Sequence, residues 1–472
     1  MATINVTGFG GREINVSTGL FINNEFVPAQ GNATVQVENP FNGKHLADIS
    51  AAQPADVEKA VKAAAKAYKH TWRSTLPSAR RNLLNRLADL LERDIQDLAS
   101  LESVDAGLLY RDSSGLFIPQ AIETLRYYAG WADKVDGQCL QIPQGMAYSR
   151  RVPIGVCAAI VPWNVPLMIT IWKLAAALAT GNVLIIKTPE DSPLYGQKLG
   201  QLIVEAGFPP GVVQILCGLG TIAGSAISAH PDIRKVSFTG STAVGRQILA
   251  ASAKTNLKKV SLELGGKGPS IVFEDANFDN ALHWASAAIT MNNGQICAAG
   301  SRIYVQDTIY DRFVKAFSEK TRDIAGGDPL LEDASKGPVI NSKQKKRIMD
   351  YINKGQAEAF VDVDPHSIVI REEIFGPVAC IAKFSTEDEV VRLANDSNYG
   401  LASAVFTQDI EKAIRVGDAL ETGQVTINMW GAVNANAAFG GVKESGFGRD
   451  LGKEAIDEWT QTKYVQVMVP KL

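Results

Sequence analysis

The sequence predicts an α/β fold organised around a parallel sheet. Between residues 155 and 264, short apolar segments alternate with helical stretches, the pattern of consecutive βαβ units. Leu and Ala recur at helical spacing in residues 54–70 and 78–106, which predicts amphipathic helices. The predicted strands of the sheet lie at 155–161, 183–186, 212–216, 235–238 and 260–264.

Two distant segments, 138–156 and 463–470, alternate apolar and polar residues and are predicted to be extended. They either pair with each other as an arm or form ordinary edge hairpins.

The composition describes a globular protein long enough for two sizeable domains. Its 472 residues are 46% hydrophobic and 21% charged, and 47 basic residues against 50 acidic ones leave no strong positive field, so nucleic acid is not expected as a partner. The first twenty residues lack the apolar core of a signal peptide, and no later stretch runs 18 residues without polar interruption. We therefore expect a cytoplasmic protein without a membrane partner.

The five cysteines are widely separated and include no C-x-x-C pair. This spacing is typical of a reduced compartment and gives no reason to expect a structural metal site.

Polar residues follow four of the predicted strands, and ligands bind at the carboxyl ends of strands in open parallel sheets. No G-x-G-x-x-G fingerprint follows any of these strands. The polar residues are Asn164, Lys187 with Glu190, Gly240 with Ser241, and Glu263.

Each of these residues has a chemical and a structural interpretation. Asn164 either donates its amide to a developing oxyanion or caps the following helix. Glu263 either is a partly buried carboxylate with a raised pKa, suited to general base catalysis, or is a strand-end charge in water.

The other two strand ends suit a nucleotide. Lys187 and Glu190 either hold the hydroxyls of a ribose or form a solvated ion pair. Gly240 and Ser241 either present backbone N–H groups and a helix dipole to a pyrophosphate or belong to an ordinary capped helix.

Cys297 is the candidate nucleophile. It follows an apolar helical run that ends at Asn292-Asn293-Gly294, and a reactive thiol needs an exposed, electropositive setting such as a helix end. The alternative is a small buried hydrophobic residue, the usual role of a free cysteine.

Over nearly its whole length the chain resembles the aldehyde dehydrogenase superfamily, of the NAD(P)-dependent, thioester-forming, hydrolytic kind. The motifs that carry the resemblance are PWNVP at 162–166, FTGST at 238–242, ELGGK at 263–267, GQIC at 294–297, EIFGP at 373–377, and FGG at 439–441 with SG at 445–446.

The resemblance implies roles for single residues. Cys297 would be the nucleophile, Asn164 the oxyanion donor and Glu263 the base that activates the deacylating water. Cofactor-binding roles fall on Trp163, on Lys187 and Glu190 at the adenosine ribose, on Gly240 and Ser241 at the pyrophosphate, and on Glu373 and Phe375 at the nicotinamide riboside. Trp172, Met291 and Phe439 would line the substrate tunnel.

The resemblance also implies an architecture. A Rossmann-like NAD-binding domain would comprise residues 1–132 and 153–264, and an α/β catalytic domain residues 265–452. A small β oligomerisation arm would comprise residues 133–152 and 453–472. The expected partners are a small-molecule aldehyde and further copies of the chain in a homodimer or homotetramer, with NAD as cofactor and NADP as the less favoured alternative.

The chemistry fits these residue types. A tetrahedral thiohemiacetal anion expels hydride more readily than a free aldehyde does, so a soft nucleophile and an oxyanion donor are required. The thioester that follows needs a base to activate water, and because no histidine lies in a motif, this role falls to Glu263.

The chain departs from the family pattern in three places. Residues 356–370 are about twenty residues shorter than in relatives. Met291 stands where an aromatic residue is common, and Ala437 and Ala438 stand where a proline is usual. Two hypotheses follow: an active enzyme for a small or medium, largely apolar aldehyde, or a catalytically weak relative with a binding or structural role because of the shortened region.

Overall fold

The fold is that of a computed structural model, which describes residues 2–143, 145–322, 324–358 and 366–468. Its strands are β1 (Thr3–Thr7), β2 (Glu13–Ser17), β3 (Leu20–Ile22), β4 (Glu25–Val27), β5 (Thr34–Glu38), β6 (His45–Ser50), β7 (Cys139–Gln141), β8 (Met146–Pro153), β9 (Val156–Ile160), β10 (Val183–Lys187), β11 (Val213–Leu216), β12 (Lys235–Thr239), β13 (Lys259–Glu263), β14 (Pro269–Val272), β15 (Arg302–Gln306), β16 (Cys380–Phe384), β17 (Tyr399–Gly400), β18 (Ala402–Phe406), β19 (Gln424–Ile427), β20 (Val442–Lys443), β21 (Gly446–Phe447) and β22 (Thr460–Val467).

The α-helices connect and cover these strands. They are α1 (Pro54–His70), α2 (Pro77–Arg93), α3 (Ile95–Ala106), α4 (Tyr110–Asp112), α5 (Ile118–Trp131), α6 (Pro166–Ala179), α7 (Leu194–Ala206), α8 (Ser225–Ala229), α9 (Thr242–Lys254), α10 (Phe278–Thr290), α11 (Tyr310–Arg322), α12 (Ser342–Glu358), α13 (Ile368–Arg371), α14 (Glu387–Asn395), α15 (Ile410–Ala419) and α16 (Glu454–Glu458).

The predicted parallel sheet is confirmed and forms the centre of an eight-stranded sheet. Its order is β21-β13-β12-β9-β10-β11-β3-β4, with β9 to β13 mutually parallel and antiparallel strands at both edges. Because parallel neighbours share a direction, the carboxyl ends of β13, β12, β9 and β10 lie side by side, about 4.8 Å from one strand to the next.

Helix α6 lies at the centre of the core. Every residue from Pro166 to Ala179 is buried, and only Lys173 is charged, which explains why the sequence is apolar on all sides of this helix. Its N-terminus follows β9 through the PWNVP segment, so the helix fixes the position of Asn164.

The predicted helix at 78–106 is two helices. It breaks at Asp94, whose φ of -101° and ψ of 20° are not helical, so α2 ends at Arg93 and α3 begins at Ile95. Leucine spacing does not reveal such a break, because both halves keep an apolar face.

A second, wholly parallel sheet has the order β16-β15-β14-β18-β19. The segment carrying Cys297 leads into β15 of this sheet, whereas Glu263 ends β13 of the first sheet. The site described below therefore draws on both sheets.

The two alternating segments pair with each other. Strand β22 pairs antiparallel with β8 along eight residues, from Thr460 opposite Pro153 to Val467 opposite Met146, and β7 completes a three-stranded sheet. Of the predicted arm, residues 144 and 469–472 lie outside the described residues. Residues 359–365 of the shortened region also lie outside them.

Candidate active site

A cavity of about 410 Å³ brings together three of the predicted site residues, Cys297, Asn164 and Glu263. Trp172, Met291 and Phe439, predicted to line a substrate tunnel, also line this cavity. Residues more than a hundred positions apart thus meet in one cavity.

An irregular turn presents Cys297 to this cavity. Helix α10 ends at Thr290, and Asn292, Asn293 and Gly294 then have positive φ angles of 45°, 56° and 67°. At Gly294 a Cβ atom would lie 2.3 Å from the carbonyl oxygen of Gly376, so only glycine fits. The turn reverses the chain and leaves Cys297 half-buried.

The expectation of an electropositive setting for Cys297 is wrong. Burial, followed by the nearby carboxylates of Glu373 and Glu263, raises the pKa of the thiol to about 12. The backbone N–H groups of Cys297 and Ala298 point towards the sulfur and lower the pKa, but they do not outweigh these effects. The preceding helix presents its C-terminal end, where the dipole is negative, and therefore does not favour a thiolate.

The side chain of Asn164 forms a hydrogen bond to the segment that carries Cys297. The side-chain Nδ2 of Asn164 donates to the backbone carbonyl oxygen of Gln295 at 2.8 Å. The backbone carbonyl oxygen of Asn164 accepts a hydrogen bond from Nδ2 of Asn292 at 2.9 Å. The N-cap of α6 is Val165, so Asn164 is not the cap of that helix. The first amide hydrogen is engaged, which leaves the second free to donate to a ligand oxygen.

Glu263 is a buried carboxylic acid and not a solvated strand-end charge. In the described part of the chain, neither of its carboxylate oxygens has a hydrogen-bond partner. Burial, together with the charge of Asp450, holds the pKa of Glu263 well above its usual value, although Lys173 and Arg449 act in the opposite direction. Gly440 lets the backbone approach, since a Cβ there would lie 2.7 Å from Oε1 of Glu263.

A buried ion pair lies beside Glu263. Nζ of Lys173 donates to Asp450 at 2.6 Å and to the hydroxyl of Ser237 at 3.1 Å, and both charged side chains are almost fully buried. Each charge compensates the other, so the pair adds little net charge to the cavity.

The tunnel side of the cavity is aromatic. The rings of Trp172 and Phe439 lie 5.2 Å apart at 52°, and Nε1 of Trp430 donates to the carbonyl oxygen of Ala298 at 2.9 Å. Charged side chains among the lining residues are limited to Glu263 and Asp450, so the rest of the wall favours an uncharged ligand.

The Lys187 and Glu190 pair lies at the carboxyl end of β10. Nζ of Lys187 donates to Oε2 of Glu190 at 2.6 Å, and the Lys187 side chain is 4% exposed, so the pair is not the solvated one of the alternative. Burial alone would raise the pKa of Glu190, but Lys187 and the N–H of Gly220 outweigh it and lower that pKa. Glu190 remains an ionised acceptor able to bind ribose hydroxyls.

The N-terminus of α9 lies at the end of β12. Ser241 is its N-cap and accepts a hydrogen bond from the N–H of Val244 at 3.4 Å, so the capped-helix interpretation is correct for its side chain. Ser241 is nevertheless exposed, and the first turn of the helix directs its other N–H groups outwards. A phosphate can therefore bind there without displacing the cap.

Glu373 and Phe375 lie in the segment between α13 and β16. Oε1 of Glu373 accepts a hydrogen bond from the N–H of Gly266 at 3.1 Å, and burial raises its pKa to about 7. A Cβ on Gly265 would overlap the Glu373 carboxylate, so the glycine pair forms a cradle for this side chain. Phe375, at φ 59°, packs edge-on against Trp163 with ring centres 5.4 Å apart.

These groups fit a dinucleotide in three respects. An ionised acceptor lies at β10, a helix N-terminus at β12, and a carboxylate in a glycine cradle near Cys297. Strand β9 separates β10 from β12, so the first two sites lie about 10 Å apart across the sheet.

Several contributors to the cavity were not predicted from the sequence. Leu116 and Phe117, before α5, and Trp430, after β19, line it. Trp430 could have been predicted to line a ligand site, because it follows the end of a parallel strand, where ligands bind. Leu116 and Phe117 could not have been predicted to line it, because they lie within an apolar helical pattern that indicates only a buried helix face.

Two further features bear on partners. Within the described ranges, no cluster of three or more His, Cys, Asp or Glu residues is arranged to hold a metal ion. The helices of those same ranges include none with the length and apolar character needed to cross a bilayer.

Comparisons with known proteins identify the family of the chain. The model of the aldehyde dehydrogenase family matches residues 26–360 and 356–465. An aldehyde dehydrogenase of Emericella nidulans is 47% identical over 469 residues, covering 95% of this chain and 94% of the relative. Aldehyde dehydrogenase 1A1 of Gallus gallus is 44% identical over 478 residues, covering 96% of this chain and 94% of the relative.

A solved structure, the NAD+ complex of the aldehyde dehydrogenase from Bacillus cereus, superposes with a TM-score of 0.94 at 39% identity. The superposition covers 96% of this chain and 97% of that chain. The chain therefore belongs to the aldehyde dehydrogenase family.

Proposed function

We propose that the protein oxidises an aldehyde to the carboxylic acid with NAD+ as hydride acceptor, through a thiohemiacetal and then a thioester on Cys297. The observation that carries the proposal is that Cys297, Asn164 and Glu263 line one cavity. Support also comes from relatives named as aldehyde dehydrogenases and from the similar structure described as an NAD+ complex.

In the first half-reaction, the sulfur of Cys297 attacks the aldehyde carbon. The free N–H of Asn164 donates to the oxygen as negative charge develops there, an interaction of about 3–4 kcal/mol in comparable sites. At rest the sulfur keeps its proton because its pKa is about 12, and this proton passes to solvent as the C–S bond forms. When bound, the cofactor supplies a hydride acceptor and the positive charge of its nicotinamide ring.

In the second half-reaction, Glu263 removes a proton from water as the water attacks the thioester carbon. The C–S bond then breaks, and the sulfur of Cys297 leaves as the thiolate. A carboxylate whose pKa is raised by burial is a stronger base than one in water. It works only once ionised, so we expect deacylation to accelerate as pH rises through the pKa of Glu263.

We assign cofactor selection to Glu190 and cofactor positioning to the cradle of Glu373. An ionised Glu190 accepts hydrogen bonds from two free ribose hydroxyls and repels a 2′-phosphate, so NAD is favoured over NADP. Trp163 and Phe375 would pack against the nicotinamide side of the dinucleotide.

The arm and the domain division remain parts of the proposal. Strands β7, β8 and β22 join parts of residues 133–152 and 453–472 in a common sheet, and Met146, Tyr464 and Val467 are exposed on it. These exposed apolar side chains support an oligomerisation role, in a homodimer or homotetramer. The remaining chain would divide near residue 264 into cofactor-binding and catalytic domains, each built around its own set of parallel strands.

The alternative, a catalytically weak relative, rests on the shortened region. The two matches to the family model overlap at residues 356–360, within the region predicted to be shortened. The cavity residues named above lie outside this region, and we therefore favour an active enzyme.

The test is Cys297→Ser, assayed with NAD+ and a panel of aldehydes. We expect aldehyde oxidation to be abolished and NAD+ binding to remain, because serine does not form an alkoxide near neutral pH. Turnover retained in this variant would contradict the assignment of the nucleophile. A parent protein that oxidises no aldehyde would contradict the proposed function and favour the alternative.

A further inference from the structure

A carboxylate on α3, that of Glu102, has no solvent exposure. Its Oε1 accepts a hydrogen bond from the backbone N–H of Leu167 at 3.0 Å, and its Oε2 accepts one from the hydroxyl of Ser113. Burial raises the pKa of Glu102 to about 7, whereas both hydrogen bonds act to lower it. Because a buried charge is costly without such donors, the two contacts hold the carboxylate in one position.

The first donor belongs to the N-terminus of α6. Val165, the N-cap residue of this helix, makes no side-chain capping hydrogen bond. The first N–H groups of a helix have no partner within it, and the helix dipole favours a negative group beside them. Glu102 therefore caps α6 from α3. Asn164 lies directly before the N-cap, so the same contact restricts the position of its backbone.

The second donor begins a segment that lines the candidate active-site cavity. Ser113 is buried and is the first residue of the π-helical turn Ser113–Phe117, which leads into α5. Leu116 and Phe117 of this turn line the cavity, and α6 lines it through Trp172. One carboxylate thus joins two segments of the cavity wall.

We propose that Glu102 is a positioning residue for the first half-reaction: it holds the start of α6 so that the free N–H of Asn164 faces the oxygen of the aldehyde bound at Cys297. The inference rests on the proposed function. Among the described residues, those that line the cavity do not include Glu102, so it acts through Asn164 and not on the substrate. An oxyanion donor stabilises the developing charge only when donor and oxygen lie about 2.7–3.1 Å apart, so its placement affects the rate.

The test is a double-mutant cycle on the first-turnover rate of NADH formation, measured by rapid mixing with saturating NAD+ and propanal. We expect Asn164→Ala to slow this turnover by about a hundredfold, because it removes the donor. Glu102→Met should slow it by about tenfold, because it displaces the donor. The double variant should be no slower than Asn164→Ala alone, since a misplaced donor costs nothing once the donor is absent. Losses that multiply, or a parental rate in Glu102→Met, would overturn the inference.

Two variants separate positioning from general damage to the fold. Glu102→Gln keeps an oxygen for the Leu167 N–H and should restore the first-turnover rate to within about twofold of the parent. Asp105→Leu is the matched control, because it removes a second buried carboxylate of α3, which accepts the N–H of Leu194 at the start of α7. Helix α7 does not line the cavity, so this variant should keep the parental rate. A loss equal to that of Glu102→Met would overturn the inference.

Ser113→Ala is the second variant for the cycle, used if Glu102→Met does not bind NAD+. It frees one oxygen of the carboxylate with little change in side-chain volume. The first turnover should slow severalfold in the parental background and not in the Asn164→Ala background. An equal slowing in both backgrounds, or none in either, would overturn the inference. If the parent oxidises no aldehyde, the proposed function itself fails.

Discussion

Glu373 should make the reactivity of Cys297 depend on pH in a specific way. After burial, the Glu373 charge is the largest factor raising the pKa of the thiol, and the pKa of Glu373 itself is about 7. Replacing Glu373 by Gln removes this charge but keeps an oxygen that accepts the Gly266 N–H. The variant should therefore react faster with iodoacetamide, in the absence of cofactor, only where the parental Glu373 is ionised.

The magnitude follows from the two pKa values. With a thiol pKa of about 12, the parental thiolate fraction at pH 8 is on the order of 10⁻⁴. Alkylation of the variant should rise about tenfold per pH unit across neutral pH, whereas alkylation of the parent should rise less steeply there because the ionisation of Glu373 raises the thiol pKa. Removing one nearby like charge should lower that pKa by about one unit. The ratio of variant to parental rates should be near one at pH 6, where Glu373 is mostly protonated, and about tenfold at pH 8.5, where it is ionised.

The assay is quantification of the alkylated Cys297 peptide by mass spectrometry, which separates it from the exposed Cys139 in the arm. Glu372→Gln is the matched control, because this neighbouring carboxylate is exposed and bonds to Tyr351 instead. A rate ratio that is the same at pH 6 and pH 8.5 would refute the electrostatic account of Cys297.

Two further predictions concern ion pairs. Glu190→Gln should narrow the ratio of catalytic efficiencies with NAD+ and NADP+ by about tenfold, since it removes the repulsion of a 2′-phosphate; an unchanged ratio would make Glu190 a structural partner of Lys187 only. Lys173→Met should lower the free energy of unfolding by about 3–5 kcal/mol because it strands the buried charge of Asp450. Urea denaturation measures this loss, which the double variant with Asp450→Leu should largely recover; a stable single variant would contradict it.

Much of the fold follows from local patterns in the sequence. The five parallel strands coincide with the predicted segments because each is a short apolar run bounded by turn residues. Parallel strands also place their carboxyl ends together, so the positions of Asn164, Lys187 and Glu263 along one sheet edge could be predicted without coordinates.

The electrostatics of the site could not be predicted in this way. Lys173 and Asp450 are 277 positions apart, and no local pattern indicates that they form a pair beside Glu263. The raised pKa of Cys297 likewise depends on Glu373, which reaches the site from another segment of the chain. Local patterns also missed the break at Asp94, because apolar residues continue at helical spacing on both sides of it.

The division of labour between Cys297 and Glu263 is tested most directly by rapid mixing of Glu263→Gln with NAD+ and aldehyde. If Glu263 acts only in deacylation, the variant should release NADH in a burst no larger than the concentration of active sites and then turn over slowly. Hydroxylamine should release the trapped acyl group. Absence of any burst would show that Glu263 instead activates Cys297, and steady turnover at the parental rate would remove Glu263 from the mechanism.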